Sequence, residues 1–135
     1  MGLIVDTNVF IDIENNRLSH DALTQYRAFG RTYLAAISVS ELLVGVHLAK
    51  TPTQRIKREA YVESLLARME IIGFDSRVAR TYAHLHGHYL KPRKQASPGA
   101  HDLLIASTAI TFGYPVLTSN RQDFIKIPGL EVLVP

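Results

Sequence analysis

The chain opens on a short unbroken apolar run, Gly2-Leu3-Ile4-Val5, which stops at Asp6 and is followed by Thr7 and Asn8. Such a run, closed by polar residues, predicts a buried strand handing over to a helix. From Thr7 to about Asn16 the apolar positions Val9, Phe10 and Ile13 recur at helical spacing, with Thr7 or Asp6 available as cap. Ser19 to Phe29 repeats the pattern, with Ser19 as cap, Leu23, Tyr26 and Phe29 on one stripe, and Gly30 as the stop. Thr32 to Ile37 is apolar with aromatic and β-branched members and predicts a second strand. Ser38-Val39-Ser40-Glu41 then has the form of a capping box opening a helix from Leu42 to Ala49.

Thr51-Pro52 starts another helix, running to about Met69, and the two together predict a helical hairpin. Glu70 to Phe74 is a short third strand. Asp75 caps a helix whose apolar face is Val78, Ala79, Tyr82, Leu85 and Tyr89. Lys91 to Ala100, with two prolines and a glycine, predicts a loop. His101 to Phe112 is helical, Gly113 ends it, Pro115 to Thr118 is a fourth strand, Ser119 to Gly129 a turn region, and Leu130 to Val134 the last strand. Strands alternating with helices imply an α/β fold: a mostly parallel sheet of about four to five strands, flanked by helices on both faces. Nothing divides the chain, so residues 1–135 are expected to form one domain.

Composition narrows the chemistry. At 135 residues and 47% hydrophobic content, the chain can bury a sizeable core. Cysteine is absent, so disulfides and thiolate ligands are excluded and any metal must be met by carboxylate, imidazole, hydroxyl or amide groups. No apolar stretch approaches a membrane span and no leader pattern is present, which predicts a soluble cytoplasmic protein without a membrane partner. The net charge of +3 is mild, but its distribution is uneven. Basic residues cluster at Arg55, Lys57 and Arg58 and again at Lys91, Arg93 and Lys94, while Asp6, Glu41, Asp102 and Asp123 stand singly inside or beside apolar runs.

Each of these four acids falls at an element boundary. Strand ends and helix starts share one edge of a parallel sheet, so the topology can bring all four to one cleft. Asp6 alone reads equally as a helix cap, and Glu41 and Asp102 alone as acids complementing a helix dipole. Together they would repel and raise each other's pKa unless a cation neutralised them. Oxygen ligands favour Mg²⁺ or Mn²⁺. Two such ions ~3.5–4 Å apart could activate a water and stabilise the leaving oxygen of a phosphodiester.

Four segments carry a resemblance: Ile4-Val5-Asp6-Thr7-Asn8, Ile37-Ser38-Val39-Ser40-Glu41-Leu42, His101-Asp102-Leu103-Leu104-Ile105-Ala106 and Leu117-Thr118-Ser119-Asn120-Arg121-Gln122-Asp123-Phe124. In order and spacing the chain resembles the PIN-domain ribonucleases, and among them the VapC toxins of type II toxin–antitoxin pairs. The resemblance implies an endoribonuclease dependent on Mg²⁺ or Mn²⁺ that cleaves RNA such as tRNA or rRNA. It also implies inhibition by a cognate VapB-type antitoxin, and a homodimer. It places Asp6, Glu41 and Asp102 as metal-binding, catalytic acids and Asp123 as the fourth. Many members carry an acid where this chain has Asn120, which makes Asn120 a competing polar residue for that fourth place. Thr7, Asn8, Thr118 and Ser119 are expected as supporting residues, with the hydroxyls orienting Asp6 or the attacking water.

Lys91, Arg93, Lys94 and Arg121 are candidate RNA contacts, with Arg121 tied by sequence to the acidic edge. His84 and His88 have a spacing that can ligate a metal, but no helical HExxH motif accompanies them, and a solvated role is favoured. His101 adjoins Asp102 as an exposed residue of the helix's first turn. Two other phosphoryl-transfer classes fit poorly. A haloacid-dehalogenase-type site needs an acid where Asn8 stands, and a receiver domain needs neighbouring acids and a late lysine. A PIN-fold RNA-processing nuclease outside a toxin–antitoxin pair, or a non-catalytic binding module on the same fold, are the alternatives.

Overall fold

The computed structural model describes residues 1–91 and 96–135. The elements run β1 (Gly2–Val5), α1 (Thr7–Glu14), a 3₁₀ segment (His20–Phe29), β2 (Arg31–Ala35), α2 (Ala36–His47), α3 (Pro52–Arg68), β3 (Glu70–Ile72), α4 (Ser76–Leu90), α5 (Ala100–Phe112), β4 (Val116–Leu117), α6 (Arg121–Phe124) and β5 (Val132–Leu133). The strands form one sheet in the order β3-β2-β1-β4-β5, and every pairing is parallel. The expected α/β architecture with a helical hairpin, α2 and α3, is present.

Period-two alternation divides the core between the two faces of the sheet. Leu3, Val5, Leu34 and Leu117 pack with Val9, Phe10 and Ile13 of α1, Leu42 and Val46 of α2, and Val62 and Leu65 of α3. Ile4, Ala35 and Val116 point the other way, into Leu85 of α4, Leu103, Ile105, Ala106 and Ala109 of α5, and Phe124 of α6. Burial of each large side chain such as Phe10 or Phe124 contributes roughly 1.5–3 kcal/mol. Ile4 is fully buried, so a charge in its place would be taken out of water at a large cost. At the far end of β1, Gly2 leaves room for the stacked rings of Tyr33 and Tyr114; a Cβ there would come within 2.7 Å of both.

Several boundaries differ from those expected. Asp6, not Thr7, occupies the cap position of α1, and it does so without a side-chain capping bond; Thr7 is already helical. The segment after Ser19 is a 3₁₀ helix broken at Tyr26, although Ser19 does cap it, accepting from Asp21 N–H at 3.1 Å. The predicted capping box does not form. β2 ends at Ala35 and α2 starts at Ala36, so Ser38 lies inside the helix with a buried, unpartnered hydroxyl and Glu41 lies beyond the first turn. The helix-dipole role considered for Glu41 therefore does not apply. The region from Ser119 to Gly129 is not all turn, because Arg121–Phe124 forms α6 around the buried Phe124.

The chain passes from β1 to β2 and β3 on one side, then crosses to β4 and β5 on the other. The switch point therefore lies between β1 and β4, where the carboxyl ends of the strands leave a crevice.

Candidate active site

Asp6 directly follows β1 at this switch point. Its backbone N–H still donates to Leu117 of β4 at 2.9 Å, so the strand holds it in place. Its side chain is 3% exposed and accepts a hydrogen bond from the Thr118 hydroxyl at 2.8 Å. Thr118 follows β4 and its own N–H is bonded to Leu133, while its hydroxyl also accepts from the backbone N–H of Asn120 at 2.9 Å. The crevice is thus bridged from β1 to β4 by one buried hydroxyl.

Glu41 reaches the same place from α2. One carboxylate oxygen accepts from the Thr7 hydroxyl at 2.7 Å, and the other lies 3.2 Å from Nδ1 of His101. Glu41 therefore ties α2 to the starts of α1 and α5. The capping box fails because α2 begins at Ala36, two residues before Ser38, and the Glu41 carboxylate is engaged across the crevice instead.

Asp102, in the first turn of α5, and Asp123, in α6, complete the set. Burial raises the Asp6 carboxyl to about 6, the Thr118 hydroxyl opposes that rise, and the charges of Asp102 and Glu41 add to it. Burial likewise raises Asp102 to about 6, with the charges of Asp123 and Glu41 adding and His101 opposing. Asp6 thus feels Asp102 and Glu41, and Asp102 feels Asp123 and Glu41. Among the described residues, the only ion-pair partner on any of the four is His101, against Glu41.

The expected supporting residues divide. The Thr118 hydroxyl donates to Asp6, whereas the Thr7 hydroxyl donates to Glu41. Asn8 is half-buried, Ser119 and Asn120 are exposed, and none of their side chains makes a hydrogen bond among the described residues. Asn120 contributes its backbone to Thr118 and sits at the cap position of α6. Arg121 is exposed on α6 and Lys91 is exposed at the end of α4. Arg93 and Lys94 lie outside the described residues. Of the α4 histidines, His86 stacks on Tyr82 at 5.5 Å and His88 meets Tyr89 edge-on at 5.1 Å, which fits a packing role. His101 is the residue whose contact the sequence left unassigned; its adjacency to Asp102 was the available signal.

The donor set is made of oxygens, two of its members are desolvated carboxylates without a cation, and a divalent ion would relieve both. Among the described residues no three His, Asp or Glu side chains are gathered as a finished ligand cluster. The carboxylates that could hold such an ion are Asp6, Glu41, Asp102 and Asp123.

A family model described as the PIN domain matches residues 3–130. The chain belongs to the PIN-domain family. It is 40% identical to Ribonuclease VapC1 of Rickettsia felis and 38% identical to Ribonuclease VapC of Rickettsia bellii, in each case over 98% of this chain and 96% of the relative. These likenesses place it among the VapC ribonucleases of the PIN-domain family. VapBC2 of Rickettsia felis, solved bound to a DNA fragment from its promoter, superposes with a TM-score of 0.85 at 25% identity, covering 100% of this chain and 99% of that one. No helix among the described residues is long and apolar enough to cross a membrane.

Proposed function

We propose that this protein is the endoribonuclease toxin of a type II toxin–antitoxin pair, cutting RNA phosphodiester bonds with a divalent metal, Mg²⁺ or Mn²⁺, at Asp6, Glu41, Asp102 and Asp123. What supports the chemistry is that Asp6, raised to about 6 mainly by burial, feels the charges of Asp102 and Glu41, that Asp102, raised likewise, feels those of Asp123 and Glu41, and that Glu41 reaches the Thr7 hydroxyl beside Asp6 at 2.7 Å. The relatives named as ribonucleases supply the reaction class.

A bound divalent ion would lower the pKa of a water and shield the charge of the phosphate as the water attacks. The chain's own part is positioning. Asp6 is fixed by β1, by its backbone bond to β4 and by Thr118, so one ligand is in place before any ion arrives. Glu41 is fixed by Thr7 and His101. Asp102, in the first turn of α5, and Asp123, in α6, supply the remaining carboxylates. Asp123 is the proposed fourth acid, and Asn120, whose amide adds no charge, a support beside it.

The likeness to VapBC2 of Rickettsia felis supports a VapB-type antitoxin as the partner. Val44, 52% exposed, and Leu48, 71% exposed, leave apolar surface on α2 for such a partner to cover. The decisive experiment uses purified, antitoxin-free protein and a panel of structured RNAs. Cleavage should require Mg²⁺ or Mn²⁺ and stop with EDTA. Cleavage that survives EDTA would exclude the metal mechanism.

A further inference from the structure

Next to the acids lies a cavity of about 750 Å³ whose wall includes Asp123, Gln122 and Lys126 on one side and Tyr89, Ser97 and Pro98 on the other. Its size falls within the roughly 300–1,000 Å³ range of small-ligand sites. Asp123 belongs to both places: it lines this cavity, and its charge is felt by Asp102 in the crevice. The cavity therefore shares one wall residue, Asp123, with the proposed acid set.

Its lining has the chemistry of a nucleotide. Lys126 is exposed and, among the described residues, has no ion-pair partner, so its ammonium is available to a phosphate. Gln122 offers both a donor and an acceptor, the combination needed to meet the polar edge of a base. Ile125 also lines the cavity and is 41% exposed, an apolar contact left open on the surface, and with Pro98 it can face the flat side of a base. In a duplex these base surfaces are stacked and paired; they become available in single-stranded loops and ends, where bases can splay outward.

We propose that this cavity seats the nucleotide adjoining the cleaved bond, with Lys126 holding its phosphate, Gln122 reading the edge of its base and Ile125 and Pro98 packing on the base face. The proposal rests on the nuclease reading of the acid site and adds the residues that choose where an unpaired RNA is cut.

Lys126→Ala and Gln122→Ala test it, since both side chains are exposed and both variants should fold as the parent does. Binding is measured first, by fluorescence anisotropy of a labelled single-stranded oligoribonucleotide in EDTA, so that no turnover intervenes. Lys126→Ala should weaken affinity about tenfold, as expected for loss of a charged contact. In cleavage assays with Mn²⁺, Gln122→Ala should raise KM about fivefold and leave kcat within about twofold, the signature of a lost binding contact. A single abasic nucleotide walked along the substrate should reproduce the Gln122→Ala defect at one position beside the cut and add nothing further in that variant. Parental affinity and KM in both variants, or defects that simply add, would overturn the nucleotide seat. In that case the cavity would belong to a protein partner or to none. The nuclease reading stands or falls separately, on whether the parent cuts RNA at all; a parent that fails to cut still reports, through anisotropy, whether Lys126 holds RNA.

Discussion

The two sides of the acidic crevice are built differently. On the β1 side, Asp6 and Glu41 are held by hydroxyl groups, at 2.8 Å from Thr118 and 2.7 Å from Thr7, and Asp6 is anchored by its backbone as well. On the other side, Asp102 and Asp123 have no side-chain hydrogen bond among the described residues, and each rides in the first turn of its helix. The difference separates two requirements of a metal nuclease. A ligand geometry set by the fold makes an ion's position reproducible, and acids free to adjust can accommodate ion and phosphate as they arrive. On the proposed function the first pair defines the site and the second pair closes it.

The largest effect should come from breaking the held side. Asp6→Asn should lower RNA cleavage by at least about a thousandfold, because a neutral amide cannot supply the charge an ion needs there. The same substitution should stabilise the metal-free protein. The Asp6 carboxyl stands at about 6 when folded against an ordinary 3.8, so the folded state binds more protons than the unfolded one between those values. Stability contributed by this group is therefore lost as pH rises from about 4 to 6, and the deficit is complete above 6. Asn cannot ionise and escapes that deficit. Thermal unfolding in EDTA should show Asp6→Asn melting about 5 °C above the parent at pH 7.5 and level with it near pH 4. A variant that melts lower at pH 7.5 would mean that the carboxylate is structurally favourable, contrary to the burial argument.

A smaller and more discriminating effect concerns the free side. If Asp123 is the fourth acid, Asp123→Ala should cost about a hundredfold in cleavage and Asn120→Ala no more than about fivefold. Asn120→Ala leaves its backbone bond to Thr118 intact, so the comparison isolates the side chain. A larger loss in the asparagine variant would transfer the fourth place to Asn120 and leave Asp123 as a residue whose charge only bears on Asp102.

Particular residues show why the sequence revealed some of this and not the rest. Leu3, Ile4 and Val5 form a continuous apolar run, as a strand buried on both faces must, and Thr51-Pro52 and Asp75 are local caps whose bonds span only a few residues; both kinds of signal survive folding unchanged. Asp6 and Asp102 stand where parallel topology sends strand ends and helix starts, whereas Glu41 reaches the crevice from within α2. Ser38 and Glu41 misled because the helix starts earlier than the local pattern marks, at Ala36, and Glu41 pairs instead with Thr7, 34 residues away. The role of Thr7 was misplaced for the same reason, and His101 could be placed beside Asp102 but not against Glu41, 60 residues distant in the chain. Long-range pairing of side chains leaves no mark in spacing, so candidate carboxylates could be named while their tethers could not.

The smallest effects should come from those tethers. Thr7 is 3% exposed and its bond to Glu41 is short, whereas the His101 contact is longer and its side chain is 57% exposed. A hydrogen bond to a carboxylate is worth more when water cannot replace it. Thr7→Val should therefore raise the Mn²⁺ concentration for half-maximal cleavage by about tenfold, and His101→Ala by about threefold, with His101→Asn recovering most of the loss because its amide can still donate to Glu41. Both defects should fade at saturating Mn²⁺, since a mispositioned ligand weakens the ion's hold and not the chemistry that follows. A His101→Ala defect that persists at saturating metal and appears instead in KM for RNA would show that the imidazole touches the substrate, and would make His101 an RNA contact instead of a tether of Glu41.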